Sequence, residues 1–177
     1  MSTTTSPSTL IPTGTWTVDP AHSKVGFAVK HMGIATVRGE FTDFQGALEI
    51  GEDPTTLKVY GTVKAESVDT NEPQRDDHLR SPDFFDAAKF PELRFESTSI
   101  EALDDEEFRI TGNLTMHGKT NKAVFDVQGK RVGDTTTGTA TSTIYMTDSG
   151  MQPPNLANIA ISQNQVLLTI EYTAKEG

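Results

Sequence analysis

A two-residue alternation of apolar and polar side chains starts near Trp16, recurs almost to the C-terminus, and constrains this chain more than any other feature. Val25, Phe27 and Val29 alternate with Gly26, Ala28 and Lys30; Leu57, Val59, Gly61, Val63 and Ala65 alternate with Lys58, Tyr60, Thr62 and Lys64. Successive Cβ atoms of an extended chain point to opposite faces, so these segments read as strands with one buried face. Phe108, Ile110, Gly112, Leu114 and Met116 continue the pattern, and His117-Gly118-Lys119 turns the chain back into Ala123, Phe125 and Val127, a hairpin. Further strands are expected over residues 39–50, 93–100, 137–146 and 166–173, the last two rich in Thr, Ile and Val. About eight strands result, the size of an up-and-down barrel.

Residues 51–54 and 103–107 are acidic and turn-rich, as solvated hairpin tips are. Residues 71–89 lose the alternation. There Asn71-Glu72-Pro73-Gln74 and Ser81-Pro82-Asp83-Phe84 each combine a capping residue with a closely following Pro and acid. Two short helices are expected, as an insertion of about 71–89 that plugs or lids one barrel end. Residues 133–138 and 149–160 read as loops, the second with Pro153-Pro154, and no repeat of 20–50 residues is present.

The chain has 177 residues, enough for one domain, and the expected division is a tail over 1–14 and a barrel over 15–177. No run approaches 18 apolar residues, so stable membrane insertion through a helix is not expected. A net charge of −10 argues against a nucleic-acid partner. Absence of Cys removes disulfides, thiolate nucleophiles and Cys-ligated metals together. Residues 1–13 carry neither a basic stretch nor a long apolar run, so no export signal is read and a cytoplasmic location is expected.

Four histidines, His22, His31, His78 and His117, are spaced unlike helical metal ligands, and nucleophile elbows, phosphate loops and dinucleotide fingerprints are missing. No catalytic residue, metal or cofactor is therefore expected. The densest polar cluster is Gln74-Arg75-Asp76-Asp77-His78. It reads either as an acid/base group with an Arg clamp or as a helix start whose charges pin the insertion to the barrel. Parity sends Phe27, Phe41, Phe44, Val59, Val63, Phe95, Leu114, Met116 and Phe125 inward, with Gly39, Gly46, Gly61, Ala65 and Gly112 on the same faces. The chain is 34% hydrophobic with 14 glycines, a little under the roughly 45–50% usual for that residue set. A cavity and a packed core both fit.

Several motifs in one order carry a resemblance: Trp16-Thr17-Val18-Asp19-Pro20-Ala21-His22-Ser23, Val25-Gly26-Phe27, Lys30-His31-Met32-Gly33 and Val37-Arg38-Gly39-Glu40-Phe41. They are followed by Ser67-Val68-Asp69-Thr70, Arg75-Asp76-Asp77-His78-Leu79, Ser81-Pro82-Asp83-Phe84-Phe85-Asp86, Lys89-Phe90-Pro91, Phe95-Glu96-Ser97-Thr98 and Gly112-Asn113-Leu114-Thr115-Met116-His117-Gly118. Over about residues 15–172 the chain resembles the YceI-like lipid- and polyisoprenoid-binding family. The resemblance implies an all-β fold with a small helical insertion: an extended, antiparallel, eight-stranded, lipocalin-like β-barrel around an apolar tunnel. The implied ligand is a long-chain apolar lipid such as a polyisoprenoid, an isoprenoid quinone or a fatty amide, held without catalysis or cofactor.

Ligand-lining positions carried over are Phe27, Val29, Phe41, Phe44, Val59, Val63, Leu79, Phe84, Phe95, Leu114 and Met116. His22, Arg75, Asp76, Asp77 and His78 are expected at the barrel mouth or packing the insertion. Where the family tends to show an Arg and an aromatic around an Asp and Gly, this chain has Met146-Thr147-Asp148-Ser149-Gly150, which favours a neutral head group or a different ligand altogether. Many relatives carry export signals. The alternatives are an enzyme acting on a lipid-like substrate through Arg75, Asp76 and His78, and a stress-related interaction module with a filled core. Association into a homodimer is left open.

Overall fold

A computed structural model describes residues 14–31, 35–50, 58–82, 84–104, 106–149 and 165–176. Residues 1–13 of the expected tail, the turn at 51–54, Leu57, Asp83 and the Pro153-Pro154 loop lie outside the described residues, and Gly14, the last residue of that tail, belongs to a strand. Eleven strands are present among those described: β1 (Gly14–Val18), β2 (Lys24–His31), β3 (Ala35–Phe41), β4 (Phe44–Ile50), β5 (Lys58–Lys64), β6 (Val68–Asp69), β7 (Glu92–Ala102), β8 (Glu107–Met116), β9 (Lys119–Val132), β10 (Thr135–Tyr145) and β11 (Gln165–Glu176). One α-helix, α1 (Pro73–Arg80), lies between β6 and β7. The alternation translates directly into burial. In β9, Ala123, Phe125 and Val127 are buried while Val124, Asp126 and Gln128 are exposed.

All pairings are antiparallel, and pairing of β1 with both β4 and β11 closes the ring. The ring has eight members because three of them are broken strands. β1 and β2 both run along β11, β3 and β4 run along β2 and β1 respectively, and β5 and β6 run along β4 and β3. The residues 39–50 expected as one strand are thus divided at Thr42-Asp43. The break shifts the inward set from odd positions (Gly39, Phe41) to even ones (Phe44, Gly46, Leu48), a change of parity that one continuous strand cannot make.

The three breaks lie side by side, so one flank of the barrel bends along a common line, and hydrogen bonds from the bends, mostly backbone to backbone, bridge the interrupted ladders there. At the first, Asp19 N–H donates to Thr173 O (2.7 Å) and Thr173 N–H donates to Ser23 Oγ (2.9 Å). At the second, Thr42 N–H donates to Ser67 O (3.3 Å). At the third, Ala65 N–H donates to Pro91 O (2.9 Å). Backbone groups at a bend need such partners, and at the first bend Ser23 supplies one from its side chain.

The β8–β9 turn is a two-residue loop in which His117 (φ 56°) and Gly118 (φ 76°) both take positive φ, the twist that suits a hairpin. Gly118 is required twice over, since a Cβ there would stand 2.6 Å from the Phe90 ring.

The insertion holds one helix rather than two. Arg80 fixes it: Nε donates to Glu66 O (2.8 Å) and Nη2 to Val68 O (3.2 Å), tying the end of α1 to the third bend. After Ser81 the described residues form successive turns, with Phe84 N–H donating to Ser81 O and Phe85 N–H to Leu79 O (both 3.0 Å). Pro82 has no N–H to give, and Asp86 at φ 50° breaks the helical sense. These turns drive Phe84 and Phe85 into the barrel end, where Phe85 meets Phe41 edge-on at 5.6 Å and Phe41 meets Phe27 at 5.5 Å.

Candidate functional site

The barrel interior is divided along its length. At the insertion end, Phe84, Met116, Met146 and Val166 form a packed cluster joined by Phe27, Val29, Leu79, Phe85 and Leu93. Further in, Ile110, Leu114, Ala123, Phe125, Val127 and Ala140 form a second cluster that wraps one side of a cavity. The cavity holds about 1150 Å³ free of protein atoms, counting the part open to solvent. Its surface is almost wholly carbon, so water inside it lacks partners and an apolar guest displaces it favourably.

Of the eleven expected lining residues, six border this cavity: Phe41, Phe44, Val59, Val63, Phe95 and Leu114. The other five, Phe27, Val29, Leu79, Phe84 and Met116, belong to the packed insertion end. Phe27, Val29 and Met116 share the inward parity, but Leu79 from α1 and Phe84 and Phe85 from the turns after it fill the space they face. The filled-core alternative therefore describes one end of the barrel and not its middle.

Two glycines shape the wall. Gly46 and Gly61 are paired directly across β4 and β5, so a backbone-only stretch borders the cavity beside Phe44, Val59 and Val63. Beside them Phe95, the partner of Gly61 across β5 and β7, meets Phe125 edge-on at 5.0 Å and lies over Gly112, where a Cβ would stand 2.5 Å from its ring.

None of the five expected mouth residues borders the cavity. His22 sits on the turn between β1 and β2, exposed, with Nδ1 2.8 Å from Asp19 Oδ2. The hydrogen bond from His22, with the Ala21 N–H and the charges of His22 and Lys175, holds the Asp19 carboxyl below its usual range. Asp76 is buried, and its Oδ1 accepts from Thr70 N–H (2.8 Å) and Thr70 Oγ1 (2.5 Å). Arg75 donates to Thr70 Oγ1 and Thr70 O, both at 2.9 Å. Asp77 is exposed and pairs with Arg80 at 2.8 Å, while the His78 ring packs edge-on against Phe84 at 4.9 Å. The cluster thus holds the insertion in place, the second of its two sequence readings. Among the described residues no group of three or more His, Asp or Glu could hold a metal.

Sequence reasoning missed Val18, Val25, Leu48, Leu93, Leu168, Ile170 and Tyr172 as cavity residues. Most were visible as inward members of strands. Tyr172 was not, because its position follows from register. It faces Gly138 of β10, which in turn faces Gly129 of β9, and its hydroxyl reaches across both. Among the described residues that hydroxyl has no hydrogen-bond partner, and burial alone pushes its pKa up to about 12. Two other inward hydroxyls of β10, Thr136 Oγ1 and Ser142 Oγ, are buried and also lack a partner among the described residues. Arg94, the one charged residue among those bordering the cavity, is exposed, with Nη2 3.5 Å from Glu92 Oε1.

A model of the YceI-like domain matches residues 16–174. The chain belongs to the YceI-like family. Protein YceI of Salmonella arizonae is 41% identical over 114 residues, 64% of this chain and 59% of that protein, so the match spans about three fifths of that curated relative's length. BcnA of Burkholderia cenocepacia has the same fold, with a TM-score of 0.82 at 23% identity over 89% of this chain and 99% of that one. A polyisoprenoid binding domain from Saccharophagus degradans does so at a TM-score of 0.72 and 14% identity, over 92% and 98%. Within this YceI-like domain the departure at 146–149 has a structural use. Met146 is buried in the insertion-end cluster, and the short helical turn Met146–Ser149 gives its Asp148 O to Asn121 Nδ2 (2.7 Å) and faces its Ser149 O to His117 Nδ1 (3.0 Å). No helix among the described residues is long and apolar enough to cross a membrane.

Proposed function

We propose that this YceI-like domain binds a long-chain apolar lipid inside the barrel, as a carrier or store and without catalysis. The observation that carries the reading is the cavity itself: a carbon-walled space within a closed barrel, with no ionised side chain turned into it among the described residues. Each methylene buried there stabilises by roughly 0.8 kcal/mol, so about ten carbons outweigh the cost of ordering a chain by several kcal/mol. Family membership supports the same reading, as does the fold shared with a domain described as polyisoprenoid-binding. Polyisoprenoids, isoprenoid quinones and fatty amides all match the cavity in chemistry. Because the insertion end is packed, a guest longer than the cavity has to displace Phe84 or Phe85 or leave by the open side.

Organic-solvent extraction of natively purified protein followed by mass spectrometry tests this. A long-chain lipid in near-stoichiometric amount is the expected result. An empty extract, together with failure of an added polyprenol to bind, overturns it.

A further inference from the structure

The wall of the cavity carries one polar group that packing does not explain. The Tyr172 ring could be a Phe ring and fill the same space, yet it ends in a hydroxyl with no partner among the described residues. An unpaired polar group in an apolar setting disfavours folding unless something supplies its hydrogen bond. Room has been made for this hydroxyl. Gly129 lies beneath it, where a Cβ would collide first with this hydroxyl, and Gly138 lies beside it, where a Cβ would meet the Gln128 carbonyl oxygen as well as the hydroxyl at 2.7 Å. Thr136, the diagonal neighbour on β10, adds a hydroxyl that is buried and without a partner among the described residues, at the same end of the barrel.

On the reading that a lipid occupies the cavity, we infer that Tyr172 is its specificity-determining residue, donating a hydrogen bond to an uncharged acceptor oxygen of the guest such as a ketone, quinone or amide carbonyl. Tyr172 borders the cavity, whereas Asp76 and the other described carboxylates do not. The phenol stays protonated throughout the neutral range, since burial holds its pKa near 12, so it remains a neutral donor. An anionic head group finds no counter-charge here: Arg94, exposed beside Glu92, is the only cation bordering the cavity among the described residues. The acceptor end of the guest therefore lies toward Gly129 and Gly138, and its tail runs toward Phe44, Val63 and Leu93.

The test uses the full chain, wild type and Tyr172→Phe, and three probes of equal length: a long-chain methyl ketone, the matching alkane and the matching carboxylate. Each competes with a fluorescent apolar reporter. In the wild type the ketone should bind roughly 2- to 10-fold more tightly than the alkane, the effect of one hydrogen bond, with the carboxylate weakest. In Tyr172→Phe the ketone and alkane should bind alike, while the melting temperature of the empty protein is unchanged or raised. A ketone advantage that is absent from the wild type or persists in the variant overturns the inference, as does a carboxylate that binds as well as the ketone. If none of the probes enters the wild-type barrel, it is the lipid-binding reading that fails, a distinguishable result.

Discussion

Tyr172 and Gly129 sit on strands that are not neighbours, yet the Tyr172 hydroxyl occupies the space that a side chain at Gly129 would need. Gly129→Ala should therefore destabilise the protein by about 1–3 kcal/mol, the usual scale of overpacking. In a Tyr172→Phe background the cost should fall below about 1 kcal/mol, since the ring carbon stays 3.5 Å away; contacting residues couple in this way. Urea denaturation of the four proteins in the cycle measures the coupling. Equal costs in both backgrounds would mean that the hydroxyl does not lie where the register places it.

Burial raises the Tyr172 pKa above the unfolded-state value, so its contribution to stability is complete below about pH 10 and is lost as pH rises toward 12. A spectrophotometric titration of the phenols should show a late phase near pH 12 that Tyr172→Phe removes. Tyr60 is raised as well, through its hydrogen bond to Glu49, but on the outer face. Glu49→Gln should lower that phase and leave the late one in place.

The acid side of the profile has a different origin. Asp19 is held low chiefly by its hydrogen bond from His22, so its contribution is present above its ordinary pKa of about 3.8 and disappears as pH falls below it. His22→Ala should move the Asp19 carboxyl resonance toward the ordinary titration midpoint in an NMR pH series, with no change in lipid binding.

The polar cluster at the insertion should behave as an anchor. Asp76→Ala leaves the buried Thr70 N–H and hydroxyl without their acceptor, and a loss of about 2–4 kcal/mol is expected from two such groups. Asp77→Ala removes an exposed pair with Arg80 and should cost at most about 1 kcal/mol. Thermal melts separate the two. Retention of bound lipid by folded Asp76→Ala would distinguish an anchor from a ligand-handling group.

The barrel was readable because its strands keep strict parity: Ala123, Phe125 and Val127, or Leu114 and Met116, announce their inward face without reference to any other strand. What parity cannot state is depth. Phe27, Val29 and Met116 have the same pattern as Phe41 and Leu114 but lie at the end that Phe84 and Phe85 fill, and those two arrive from a segment with no alternation. The division at Thr42-Asp43 is legible too, since Phe41 and Phe44, three residues apart, both face inward only if the strand breaks between them. Tyr172 escaped because its site is made by two glycines on other strands, Gly129 and Gly138, and only pairing register brings the three together.

The central claim is that a lipid lies within the barrel rather than on it, and methyl NMR of a protein labelled at Leu and Val tests this most directly. On titration with a long-chain polyprenol, the methyls of Leu48, Val59, Val63 and Val127, which border the cavity, should shift and saturate together. Those of Leu103 and Val124, exposed on the outer surface, should stay in place. Shifts confined to Leu103 and Val124, or none at saturating lipid, would contradict the account.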